Sequence, residues 1–502
     1  MNGLHLLPGI ILAPFVAVLI LLFIPSTARN AIRGIALAAA SCSLALATLA
    51  MFTYDNASKG LQFVEHVPWL TTFGISLDLG VDGLSLPLVL LTAIILFAGV
   101  FVSWKLESRA KEFFIYTLLL VGGVFGVFMS TDLFVLFMFI EVAVIPKYVL
   151  ISVWGSTRKD YAAMKYTLYL LSGSAIAFVG LFAVYTYVGS PHTGLGYGTF
   201  SLAELAKVNF SPEFQKWGFL AILVGFGVLV PIFPLHRWTP DGHSAAPTTI
   251  SMLLAGVIMK LGGYAIIRVG LGFFPMGAQY WAPVVAILAA INVIYIAFVA
   301  LAQKDMKFVV ANSSISHMGF VLLGIASMNA VSLSGAAAQM FAHGIMAALF
   351  FALVGQVYDK AHTRIIADFG GLAKYMPRTS AAFLVVGLAS LGLPGLFNFV
   401  PEFTVFAGSI QSFTVLTIVS VFSVVVTAIY VLWVYQRVFL GPANERWAGL
   451  SDARGIELVP IVLLGGVLLV LGVWPGPFMD MVSGGIMPIV GRIVAAPMGG
   501  IF

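Results

Sequence analysis

The chain has one cysteine, Cys42, in 502 residues. That excludes an intrachain disulfide and a cysteine-held zinc or iron–sulfur centre. Charge is scarce as well. Only 9% of residues are Asp, Glu, Lys or Arg, and 61% are hydrophobic, whereas a soluble domain carries about 25% charged residues. So long and apolar a chain cannot bury its surface in one soluble core, and lipid is its expected solvent. No glycine-rich phosphate loop follows a strand pattern, so no nucleotide site is expected. No close pairing of histidines with a carboxylate suggests a metal site. The net charge of +5 comes from Lys and Arg in short loops between apolar runs, which is no nucleic-acid signature. No cofactor is expected here; any electron chemistry belongs to other chains.

What is present is a succession of apolar runs. A membrane span needs about 20 mostly apolar residues. Fourteen candidates fit, at 6–25, 31–52, 83–104, 113–130, 132–153, 161–188, 216–239, 247–269, 280–302, 307–328, 335–358, 379–409, 412–439 and 458–477. The first lacks a basic leader and a cleavage site, and reads as a retained helix rather than a signal peptide. The tail from Asp480, with Gly, Pro and one Arg, is expected along the surface.

The basic loops alternate. Arg29, Arg33, Lys105, Arg109, Lys111, Arg158, Lys159, Lys304, Lys307, Lys360, Arg364, Lys374, Arg378, Arg446 and Arg454 follow odd-numbered spans. The other loops hold mainly Lys59, Lys207 and Lys216. The positive-inside rule then puts the odd-to-even loops in the cytoplasm and both termini outside.

Two spans carry prolines in awkward places. Span 7 reads GVLVPIFPLHRWTPD and span 12 reads LGLPGLFNFVPEF. Proline removes a backbone donor and clashes with the preceding turn. In lipid such breaks belong inside a bundle or beside water. Paired broken helices point to an inverted-repeat transporter. Spans 4–8 and 9–13 form two such repeats, with the break fourth in each. The chain therefore divides into peripheral spans 1–3 (1–112), a first repeat (113–269), a second repeat (280–440), and span 14 with its tail (441–502).

Several ionisable residues fall at mid-depth. Glu141 is nine residues into span 5, Lys260 is equally deep in span 8, and Glu402 follows Pro401 in the break of span 12. Each costs roughly 2.5–3.5 kcal/mol to insert. Such groups mark ion pathways; the plain alternative is a static Glu141–Lys260 pair joining two helices. Lys147 lies six residues after Glu141 on another face of the helix, either on the pathway or snorkelling to an interface. His236, His317 and His343 recur at similar depth and suit a proton relay, since histidine titrates near neutrality. His243 and His362 sit at helix ends and read as solvated or capping. The hydroxyls of Thr248, Thr249, Ser251, Ser313, Ser314 and Ser316 either hold water or bond back to their own helix. Gly122, Gly126, Gly262 and Gly263 fit close helix packing.

Taken in order, FIEVAVIP, PLHRWTPDGHSAAP, AGVIMKLGGYAIIR, ALAQKDMKFVVANSSISHMGFVLLG, AHGIMAALFFALVGQVYDKAHTR and GLASLGLPGLFNFVPEF resemble the proton-channel subunits of respiratory complex I. The blocks run from about residue 110 to 440. The segment FLGPANERWAGLSDARGIELVPIVLLGGVLLVLGVWPGPF resembles the M branch, the counterpart of mitochondrial chain 4. The resemblance implies an all-α integral membrane fold of about fourteen helices, with two inverted five-helix repeats and discontinuous helices 7 and 12.

It also implies an axis of ionisable residues. Glu141 matches the helix-5 glutamate, Lys260 the helix-8 lysine, and His317 and His343 the histidines linking two half-channels. Glu402 matches the terminal glutamate of the M branch, and His236 the histidine of the PLHxW motif. The implied function is proton translocation in a bacterial inner membrane, coupled to redox chemistry on partner subunits of a complex I-type NADH–quinone oxidoreductase. The bilayer, water and protons are the other partners. The alternative is a subunit of a multi-subunit cation/proton antiporter or a membrane-bound hydrogenase. One departure stands out. Relatives carry a lysine two residues before the first proline of helix 7; here the run is Leu229-Val230-Pro231. Where relatives have PMY, this chain has Pro146-Lys147-Tyr148, and Lys147 is expected to supply the missing charge by reaching helix 7.

Overall fold

The structure, a computed structural model, describes residues 5–58, 60–191 and 194–496; Lys59 lies outside them. Among the described residues, thirteen helices are long and apolar enough to cross a membrane. They are α1 (Leu6–Phe23), α2 (Arg29–Thr53), α3 (Ser85–Val102), α4 (Ala110–Met129), α5 (Leu133–Trp154), α6 (Lys159–Gly189), α8 (Thr248–Leu271), α9 (Pro275–Leu301), α10 (Met306–Ser327), α11 (Ala330–Ala361), α13 (Thr414–Phe439), α14 (Gly455–Val473) and α15 (Gly476–Ala495). The other two expected spans are broken. α7 consists of Pro212–Gly227 and Trp238–Ala245, and α12 of Pro377–Ser390 and Phe399–Ser412. Each piece alone is too short to span.

α15 does not cross. Beside it, a Cβ on Gly83, at the start of α3, would lie 1.9 Å from Met481 O. Further on, Arg492 donates to Gly272 O at the end of α8 and Gln279 to Ile493 O at the start of α9. All three contacts lie on the face opposite the basic loops, called here the far face. The helix therefore lies along the ends of α3, α8 and α9.

The repeats show in matching details. Asp132 accepts from Phe134 N and Val135 N at the start of α5, and Asp305 from Lys307 N at the start of α10. Each aspartate also makes a short antiparallel bridge to the loop after the following helix, at Ser201 and Ile365 respectively. One aspartate is at the far face and the other at the basic face, as inversion requires.

The breaks are satisfied from neighbouring helices. Asn292 of α9 accepts from Phe233 N at 2.8 Å and donates to Pro231 O at 2.9 Å. Trp238 Nε1 donates to Val228 O. These are the partners that helix-breaking prolines need where no bulk water reaches. Glycines bring the helices close: a Cβ on Gly262 would sit 2.5 Å from Val230 N, and one on Gly126 2.2 Å from the Phe139 ring.

Two features depart from expectation. α1 and α2 lie at the edge, but α3 is largely buried and packs against α8, α11 and α14. Peripheral placement thus holds for the first two helices only. The α3 sequence is apolar on every side, which suits a core helix as well as a lipid-facing one. Between α2 and α3, residues Gln62–Leu70 (β1) and Ile75–Val81 (β2) form an antiparallel hairpin on the far face.

Candidate proton-translocation axis

Lys260 stands in the middle of α8, in a seven-residue α-helical stretch between two π-helical ones, Leu254–Ile258 and Ile266–Leu271. Such departures from regular helix recur at functional sites. Its side chain is wholly buried. The ammonium donates to Ala255 O and, at 2.7 Å, to His343 Nδ1. That bond assigns the proton of a neutral His343 to Nε2, which has no other partner among the described residues. The His343 and His317 rings lie 5.4 Å apart between centroids.

His317 Nδ1 lies 2.8 Å from Ser313 O, and its Nε2 lies 3.2 Å from Ser390 O and 3.6 Å from Glu402 Oε1. Both nitrogens face acceptors, so either can donate. Ser390 O is a carbonyl at the break of α12, so His317 also does structural work there. Glu402 is buried, and its Oε1 accepts from Gln339 Nε2 at 3.1 Å. Lys260, His343, His317 and Glu402 thus form a linked row from the last helix of the first repeat into the second.

The first repeat is less directly joined. Glu141 is half-buried and accepts from Ser174 of α6. It makes no ion pair with Lys260, so the static-pair alternative fails. Lys147 is fully buried, so it does not snorkel. Its ammonium lies 5.3 Å from the Tyr166 ring centroid, and Glu141 acts on both residues electrostatically. Tyr166 packs edge-on against Trp238 of α7 at 5.1 Å. Lys147 is therefore turned toward Tyr166 of α6, with Trp238 of α7 on that ring's other side. Leu229 lines a cavity of about 10 Å³ with Ser174 and Phe226.

His243 is a correction. It is neither solvated nor a cap: it is fully buried, and neither ring nitrogen has a hydrogen-bond partner among the described residues. It stacks on Phe351 at 5.5 Å and faces Trp238 at 6.1 Å, within the electrostatic reach of Lys260, Lys307 and His343. The end of helix 7 is covered because Arg364 donates to Ser244 O and Lys307 to Ala246 O. Lys307, read as a loop charge, is itself buried at the start of α10. It lines a cavity of about 470 Å³ on the basic face, with Lys105, Thr249, Asp359 and His362.

His236 stands apart from the row: its ring stacks on Phe233, and the charges acting on it are Arg237 and Lys165. The hydroxyls divide as chemistry suggests. Ser314 and Ser251 bond to backbone carbonyls, and Thr249 bonds to Gly99 O. Ser313 receives the Tyr430 hydroxyl beside His317.

Two discontinuous helices in inverted repeats, with a buried lysine–histidine–glutamate row between them, define an antiporter-like membrane subunit. Residues 130–427 match the family described as NADH:quinone oxidoreductase/Mrp antiporter, TM, and the chain belongs to that family. It is 37% identical over 483 residues to NAD(P)H-quinone oxidoreductase chain 4 of Gloeobacter violaceus, covering 94% of this chain and 90% of that one. With chain 4 1 of Synechococcus elongatus it shares 39% identity over 477 residues, covering 93% and 88%. Among solved structures, a chain of respiratory complex I from Thermus thermophilus superposes with a TM-score of 0.88 at 28% identity, covering 97% of this chain and all of that one. A chain of the Mrp complex from Dietzia, at 18% identity and a TM-score of 0.84 over 98% of each chain, shares the fold.

Proposed function

We propose that this chain is the chain-4-type proton-translocating subunit of a complex I-type NAD(P)H or NADH–quinone oxidoreductase. It does no redox chemistry itself. The carrying observation is the buried row Lys260–His343–His317–Glu402, linked by contacts of 2.7 Å, 5.4 Å between rings, and 3.6 Å.

Protons enter from the basic face through the Lys307 cavity and reach Lys260 by way of His243. Lys260 passes a proton to His343 Nδ1 while Nε2 gives one up. His317 carries it to Glu402, held by Gln339 at the break of α12. At the other end, Glu141 and Lys147 act as the switch. Drawing Lys147 toward or away from Glu141 changes the field felt through Tyr166, Trp238 and His243. In this role Lys147 replaces the charge that Leu229 lacks. Moving one charge against 100 mV takes about 2.3 kcal/mol, within reach of buried charges a few ångströms apart. The basic face is the cytoplasm of a bacterial inner membrane and both termini lie outside. Electron donor and quinone sites belong to partner subunits.

The test is Lys260→Met in the assembled complex, reading proton uptake per quinone reduced. The expected result is loss of this subunit's share of pumping in a complex that still assembles. Full pumping by the variant would end the reading. The antiporter alternative predicts that the chain co-purifies without quinone-reducing subunits.

A further inference from the structure

Beyond Lys260, α8 continues toward the far face with Tyr264 and Arg268 at successive turns. Arg268 lies about 12 Å along the helix from Lys260, at 1.5 Å per residue. Its Nη2 donates to Asp82 Oδ1 at 2.7 Å and its Nε to the Tyr264 hydroxyl at 3.3 Å. The guanidinium also lies 5.3 Å from the Tyr264 ring centroid. Asp82 is fixed in turn, because Leu84 N and Ser85 N donate to it at the start of α3.

These side chains floor a cavity of about 180 Å³ between the hairpin, the end of α8 and α15, with Ser130 in its wall. Leu61 and Arg492, which also line it, are exposed, so it opens on the far face. The cavity thus reaches along α8 as far as Tyr264, one helical turn from Lys260, with Arg268 on the way in.

A pump working against a gradient must stop protons returning along such a path. We propose that Arg268 is the electrostatic barrier that closes Lys260 off from the far-face cavity, and that Tyr264 is the positioning residue holding the guanidinium across the way. This rests on Lys260 carrying protons. A cation entering the cavity approaches a fixed positive charge before it can reach the axis. Asp82 offsets part of this field in the wild type, but removing the guanidinium alone changes the path by one unit charge, which at about 10 Å and an effective dielectric near 20 is roughly tenfold in cation occupancy. A competing view makes Asp82–Arg268 a clasp tying α3 to α8. The two differ in sign: a clasp is broken equally from either side, whereas removing Asp82 leaves a barrier more positive.

The experiment uses the assembled complex in proteoliposomes, without electron donor, with an inward proton gradient applied from the far face and an internal pH dye. Arg268→Met is expected to leak protons about tenfold faster than the wild type, while Arg268→Lys and Asp82→Asn stay tight. The leak should vanish in the Arg268→Met, Lys260→Met double variant. Equal leaks from Asp82→Asn and Arg268→Met, a tight Arg268→Met, or a leak surviving in the double variant would each overturn the barrier. If Arg268→Met does not assemble, Arg268→Gln decides: it removes the charge but keeps donors for Asp82 and Tyr264 and should leak, and wild-type tightness refutes the proposal. Failure of the underlying reading shows separately, as undiminished pumping by Lys260→Met alone.

Discussion

Replacing Glu402 by Gln is the sharpest probe of the row. The amide keeps the size of the side chain and an oxygen for Gln339 Nε2, but removes the carboxyl group that can take up a proton 3.6 Å from His317 Nε2. At the moment when His317 carries the proton and Glu402 is ionised, two unit charges at that separation attract by about 4–5 kcal/mol at an effective dielectric of about 20. That is roughly a thousandfold in the population of a proton on His317. It also exceeds the cost of moving one charge against 100 mV, about 2.3 kcal/mol. The variant should therefore assemble, keep its fold, and stall proton passage between His317 and the break of α12.

Glu402→Asp keeps the charge but draws it back by about one bond, and should retain intermediate activity because Coulomb attraction falls only as the inverse of distance. The assay is fluorescence quenching in proteoliposomes normalised to quinone reduction, with intact assembly checked by native electrophoresis. Wild-type proton yield from a fully assembled Glu402→Gln complex would refute the chain of reasoning from burial and proximity to function.

Three further outcomes follow from the same structure. Lys147→Met should depress pumping by an order of magnitude or more, and adding Leu229→Lys, beside the Glu141–Ser174 pair, should restore part of it; a double variant as inactive as the single would detach Lys147 from that role. Asn292→Leu strips two backbone groups in the break of α7 of their partners, at about 1–3 kcal/mol each, and should lower thermal stability in detergent; an unchanged melting temperature would contradict it. Asp452 lies outside the spans. Burial pushes its carboxyl up, but hydrogen bonds from Arg378 N, Ala453 N and Thr379 outweigh this and hold it below the ordinary 3.8. A depressed value gives stability above the unfolded pKa that is lost as pH falls through the folded one. The Asp452→Asn variant should be less stable than wild type at neutral pH, and the two melting curves should converge below about pH 4; a gap that stays constant to lower pH would contradict the assignment.

The positions of the membrane spans could be read closely from hydropathy. Spans 7 and 12 could be read as broken because Pro231, Pro234, Pro394 and Pro401 cannot be housed in a plain helix facing lipid. The depth of Glu141, Lys260 and Glu402 followed from counting residues along helices of known rise. His243 could not be read this way. Seen in the sequence it is near a helix end, where water is the default, and only Arg364 and Lys307 reaching in from α10 and the loop after α11 cover it. Nor could the burial of α3. Its uniform apolarity looks the same whether lipid or protein surrounds it, because in a membrane the two solvents are alike.

The sequence by itself determined how many times the chain crosses, where it breaks, that its basic loops alternate from span to span, and which costly side chains fall midway along its spans. These depend on local composition and on one length, the thickness of the bilayer. Only the tertiary structure decided which of those side chains meet. Lys260 bonds to His343 rather than Glu141, Lys147 turns inward over Tyr166, His236 is left out, and Arg268 closes on Asp82. The reason is that neighbours in a bundle come from helices far apart in the chain. Their rotation about their own axes is set by glycine contacts and satisfied breaks elsewhere, not by any pattern within one helix.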